Sequence, residues 1–123
     1  MILADTSVWI DHLREGDEEL RTLLVAGLIA CHPLVVAEIA LGSLQARESI
    51  LSLLDGLPRL PEAEIDEIRA MIEGRRFFSR GIGLVDAALI ASCLIRPGTR
   101  LWTRDRRLNA VAAEIGLSFV APA

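Results

Sequence analysis

With 123 residues, a net charge of −4, 52% hydrophobic side chains and a mean hydropathy of +0.42, the chain has material for one packed domain and argues against disorder. Its longest uncharged stretch, Thr22 to Ala37, has 16 residues and includes His32 and Pro33, short of the roughly 20 apolar residues a membrane span needs; no basic segment precedes an apolar one at the N-terminus, so neither a membrane protein nor a signal peptide is expected and the location predicted is cytoplasmic. Residues 1 to 73 hold 14 acids and 5 arginines, a balance of −9, whereas residues 74 to 123 hold 3 acids and 8 arginines, a balance of +5, so the overall acidity does not exclude a nucleic-acid partner.

Short apolar runs alternate with amphipathic stretches, without repeats or low-complexity linkers, which is an α/β signature. Ile2 to Ala4 reads as a first strand and Ser7 to Arg14 as a short helix ending near Gly16. Glu18 to Ala26 reads as a second helix stopped by Gly27, followed by a strand at Leu28 to Cys31. Pro33 suits the first turn of a third helix running to Leu44. Glu48 to Leu54 is predicted helical, and Pro58 and Pro61 bracket a short edge strand. Glu62 to Arg80 has Ile65, Ile68 and Ile72 on one face, acids early, arginines late and Gly81 just after, matching a helix and its dipole. Leu84 to Ile95 reads as a buried helix, Arg100 to Thr103 as a strand, Arg106 to Ile115 as a helix and Leu117 to Val120 as a last strand.

Four carboxylates stand out against this frame. Asp5 and Asp105 each follow a strand and precede a helix, at the sheet edge where ligands of open parallel α/β sheets collect. Either is equally an N-cap, whose oxygen accepts the orphan amide bonds of the following helix. Glu38 in PLVVAEIAL and Asp86 in GIGLVDAALIA are lone acids in apolar runs. A largely buried face is expected for Glu38, with a solvent edge as the other reading; Asp86 is a second site acid or another cap. Acids brought together repel, and oxygen-only donors select a hard cation, so a shared pocket would take Mg²⁺, with Mn²⁺ as substitute. Such an ion polarises a phosphodiester and activates a bound water, with no histidine required. His12 is accordingly expected at the surface and His32 in a turn, and the well-separated Cys31 and Cys93 read as buried free thiols.

DTSVWIDHLR, EIALGSL, GIGLVDAALIA and LWTRDRRL, in that order and spacing, resemble the PIN-domain ribonucleases, most closely the VapC toxins of bacterial toxin–antitoxin pairs. The resemblance covers nearly the whole chain and implies one domain over residues 1 to 123, a three-layer α/β/α sandwich around a mostly parallel sheet. It also implies a metal-dependent endoribonuclease, with Asp5, Glu38, Asp86 and Asp105 as the catalytic metal site. Dimerisation, inhibition by a cognate antitoxin inserting near the site, DNA contact only through that antitoxin, and products with a 5′-phosphate and a 3′-hydroxyl follow from the same resemblance. The arginines directly after Asp105 depart from many relatives, which place other polar residues there.

Asp5 and Asp86 are the expected principal ligands, with Glu38 and Asp105 completing the shell directly or through waters and Ser7 and Thr103 as supporting hydroxyls. Arg75, Arg76, Arg80, Arg100, Arg104, Arg106 and Arg107 form the pool for RNA backbone contacts; an all-arginine basic set suits phosphate and is equally what a GC-rich genome produces. Few aromatic residues favour structured RNA over base stacking on a single strand. Two other readings stand beside this one: a non-catalytic partner-binding module whose acids only cap helices, and a receiver-type phosphoacceptor domain, which the absence of lysine disfavours.

Overall fold

A computed structural model describes residues 1–121. Strands β1 (Ile2–Ala4), β2 (Ile29–Ala30) and β3 (Arg100–Trp102) pair in parallel in the order β2-β1-β3. Leu3 and Ala4 point to opposite faces of the central strand and both are fully buried, so helices cover the sheet on each side. The expected three-layer α/β/α sandwich results. The helices are α1 (Thr6–Glu15), α2 (Glu18–Val25), α3 (Pro33–Ala40), α4 (Arg47–Asp55), α5 (Ile65–Arg75), α6 (Leu84–Ile95) and α7 (Arg106–Glu114).

Helix α6 matches its predicted bounds, and every residue from Ala87 to Cys93 is buried, which explains why its sequence lacks an amphipathic stripe. Its small residues Ala87, Ala88 and Ala91 receive Ile68 of α5. Helix α5 is shorter than the predicted 62–80 segment. Glu67 accepts from the backbone N–H of Glu64 and fixes the start, while Arg76 takes a left-handed conformation (φ 57°) and buried Phe77 turns the chain into the core. Helix α3 also ends early, at Ala40 instead of Leu44, because the Arg47 guanidinium donates to the carbonyls of Ala40 (2.6 Å) and Gly42 (3.3 Å). The two predicted outer strands reduce to single parallel bridges, Cys31 with Arg59 and Leu101 with Ser118. Pro58 and Pro61 have no N–H to extend the first.

Both cysteines are buried free thiols; burial pushes the Cys93 thiol up to about 12 and raises Cys31. His32 is buried as the N-cap of α3, its Nδ1 accepting from the N–H of Leu34 at 3.0 Å. Burial lowers its pKa below the ordinary 6.5; Arg59 adds to the shift and Glu62 opposes it. A lowered histidine contributes stability above its unfolded value that is lost as pH falls through the folded one. His32→Asn, which keeps a capping acceptor, is therefore expected to flatten the decline in unfolding midpoint from about pH 7 to pH 5 relative to the parent chain.

Candidate active site

Parallel pairing puts the carboxyl ends of β1 and β3 side by side: Ala4 is level with Trp102, and the N–H of Asp5 donates to the Trp102 carbonyl at 3.0 Å. Asp5, only 6% exposed, is thereby delivered to the residues following β3. Its Oδ1 accepts from the Ser7 hydroxyl at 2.5 Å and from the Val8 N–H at 3.3 Å, and its Oδ2 accepts from the Thr103 hydroxyl. Each hydroxyl is itself held, Thr103 Oγ1 by the N–H of Asp105 and Ser7 Oγ by the N–H of Arg104, both at 3.0 Å. Ser7 and Thr103 thus both donate to Asp5.

Two of the four acids are N-caps, and the third, Asp86, stands at the third position of α6 and reaches back to its N-cap Gly83. Asp5 caps α1; Asp105 Oδ1 accepts from the N–H groups of Arg107 (2.9 Å) and Leu108 (3.0 Å) at the start of α7; Asp86 Oδ2 accepts from the N–H of Gly83 at 3.0 Å. Glu38 corrects an expectation, because its face of α3 is exposed, with Leu34 and Ala37, while Val35 and Ile39 are buried and Val36 packs against the core. Its Oε1 accepts from the Thr6 hydroxyl at 2.6 Å, a contact the sequence reading missed. Hydrogen bonds among the described residues engage only Oδ2 of Asp86, Oδ1 of Asp105 and Oε1 of Glu38, so each keeps a second oxygen free of protein donors.

The carboxyl of Asp86 is raised above its ordinary value, first by burial and then by the negative charges of Asp105, Asp5 and Glu38, against the lowering effect of the Gly83 N–H. Asp86 thus feels the charge of each of the other three acids. Among the described residues no three His, Cys, Asp or Glu side chains close into a group that holds an ion as they stand. The donor chemistry nevertheless fits a hard divalent cation: the donors are oxygens, anionic and mutually repelling, and no lysine lies in the chain to neutralise them. A cleft of about 440 Å³ opens beside Glu38, lined by Ile10, Leu13, Arg14 and Leu44.

The arginine pool divides. Arg104 Nε meets Asp11 Oδ2 at 3.0 Å, its Nη2 meets Asp17, and its guanidinium lies over the Trp102 ring, 5.9 Å from the centroid. It braces the 103–105 turn against α1 and the N-cap of α2 instead of pointing at a substrate. Arg80 is paired bidentately with Glu114, and Arg100 donates to the Ser118 carbonyl at 3.4 Å. His12, half-buried instead of on the surface, accepts from the Asp17 N–H at 2.9 Å and packs edge-on to Trp9. Thr103→Val keeps the volume of its side chain but leaves Asp5 Oδ2 and the Asp105 N–H without partners. A loss of about 1–3 kcal/mol is expected, read as a lower urea midpoint.

The PIN domain family model matches residues 2–114. Ribonuclease VapC32 of Mycobacterium tuberculosis is 48% identical over 118 residues, 96% of this chain and 95% of its own length. Ribonuclease VapC11 of the same species is 30% identical over 124 residues, 91% of this chain and 92% of its own. The crystal structure of PAE2754 from Pyrobaculum aerophilum superposes with a TM-score of 0.61 at 21% identity, covering 89% of this chain and 82% of that one, a likeness of fold.

Proposed function

The chain belongs to the PIN-domain family, among its VapC-type ribonuclease toxins, and on that premise we propose that it hydrolyses RNA phosphodiesters at a Mg²⁺ site formed by Asp5, Glu38, Asp86 and Asp105. The observation that carries this reading is the pairing of β1 with β3, which sets Asp5 on the Thr103 hydroxyl that also holds Asp105, while Thr6 ties Glu38 to the same strand end; the charges of these three acids add to the raised carboxyl of Asp86. When bound, the ion supplies Lewis acidity toward the phosphodiester and lowers the pKa of a water. The free oxygens of Glu38, Asp86 and Asp105, together with the carboxylate of Asp5, would hold it.

The chain's own residues prepare that site. Ser7, the Val8 N–H and Thr103 fix Asp5 from two sides, so its position survives the repulsion of its neighbours. Thr6 ties Glu38 to the first turn of α1 and thereby to Asp5. Capping and ion binding do not compete, because Asp86 and Asp105 cap with one oxygen and leave the other. The cleft beside Glu38, lined also by Arg14, offers RNA or a segment of a partner antitoxin a surface next to that acid. A homodimer, a cytoplasmic location and a structured RNA substrate complete the proposal.

The test is cleavage of a structured RNA by the purified chain, with the new ends characterised. The expected result is Mg²⁺-dependent cutting, restored by Mn²⁺ after chelation, with 5′-phosphate and 3′-hydroxyl ends. Persistent cutting in chelator, or 2′,3′-cyclic phosphate ends from attack by the ribose hydroxyl, would overturn it.

A further inference from the structure

We propose that Arg107 is the side chain that receives the RNA backbone at this site, and that Gly81 lacks a side chain so that Arg107 can be held there; the proposal rests on the ribonuclease reading above. A β-carbon built on Gly81 would stand 2.6 Å from Arg107 Cδ, 2.8 Å from Nη1 and 3.1 Å from Nε. The arginine therefore lies directly across the backbone of the loop joining α5 to α6. Gly81 also has φ +79°, a conformation that residues with a β-carbon rarely adopt, so both space and backbone favour glycine.

The place is specific. Arg107 is in the first turn of α7, where its N–H donates to Asp105, and Gly81 lies two residues before the Gly83 N–H that donates to Asp86. Its side chain thus spans from the helix start that carries Asp105 to the loop that enters the helix carrying Asp86. Among the described residues it makes no salt bridge, whereas Arg80 and Arg104 of the same pool are neutralised by acids. Arg106 and Arg107 are both exposed, but Arg107 is the one that lies against the backbone of Gly81. An anionic RNA must approach a cluster of four carboxylates, and an unpaired cation packed against Gly81 at its edge offsets that repulsion. A planar guanidinium suits two phosphate oxygens at once.

Steady-state cleavage of one RNA hairpin at several salt concentrations tests this. Arg107→Ala is expected to raise KM about tenfold with kcat within about twofold, and to flatten the log–log salt dependence of kcat/KM by a slope of about 0.7–0.9, one phosphate contact. Arg107→Lys should fall between it and the parent. Gly81→Ala should raise KM as Arg107→Ala does, and the double variant should go no further. Arg96→Ala, at the opposite end of α6 from Asp86, should change nothing. If Gly81→Ala does not fold, the two Arg107 variants decide alone. Parent-like KM and salt slope in Arg107→Ala would overturn the proposal while the ribonuclease reading stands; a parent chain that neither binds nor cuts RNA would overturn both.

Discussion

Asp5→Asn is expected to lower RNA cleavage about a thousandfold or more and, at the same time, to lower stability by about 1–3 kcal/mol. The activity loss follows from weakening a cation whose electrostatic contribution is several kcal/mol, with each 1.36 kcal/mol equal to a factor of ten. The stability loss follows from hydrogen-bond direction. Ser7 and Thr103 both donate to Asp5 while their own oxygens are occupied by the N–H groups of Arg104 and Asp105. An asparagine offers one oxygen and one NH₂, so one of the two hydroxyls meets a donor where it needs an acceptor. Kinetics and urea unfolding of the same preparation read both effects; wild-type cleavage by the variant would remove Asp5 from the site.

Asp86→Asn should lose activity to a similar extent but shift stability the other way. Its carboxyl is raised by burial and by Asp105, Asp5 and Glu38, so the folded chain holds that proton more tightly than the unfolded chain does. A raised acid contributes stability below its unfolded value that is lost as pH rises through the folded one. In metal-free buffer at neutral pH, ionised Asp86 therefore opposes folding. Asparagine removes that charge and keeps an oxygen for the Gly83 N–H. The expected result is a higher urea midpoint than the parent at neutral pH, with the difference shrinking as the buffer is acidified toward the ordinary aspartate value of 3.8. A lower midpoint at neutral pH would mean that capping, not crowding, governs Asp86.

The opposite signs expected for these two aspartates come from features the sequence carries unequally. That Asp5 and Asp105 end strands and open helices is legible, because strand, acid and amphipathic helix follow one another within a few residues. The lone acid in GIGLVDAALIA is equally visible, and the bounds of α6 follow from its Gly83 start and apolar run. Contacts across the chain are not legible: Thr6 meets Glu38 over 32 positions and Arg104 meets Asp17 over 87, and no local pattern encodes either. Arg104, next to Asp105, suits a substrate contact by its place in the sequence, yet two acids from α1 and the turn after it hold it as a brace. The exposure of Glu38 is not legible, because the α3 segment is apolar on its exposed side as well, with Leu34 37% and the C-cap Leu41 88% accessible. Hydrophobic content alone does not tell a core face from an outer one.

Mn²⁺ titration of the metal-free chain, followed by the paramagnetic signal of the free ion, bears most directly on whether the four carboxylates act as one cation site. Saturable binding by the parent chain, lost in Asp5→Asn and in Asp86→Asn and weakened in Glu38→Gln and Asp105→Asn, is the expected result. Absence of binding by the parent, or binding unchanged in all four variants, would contradict it.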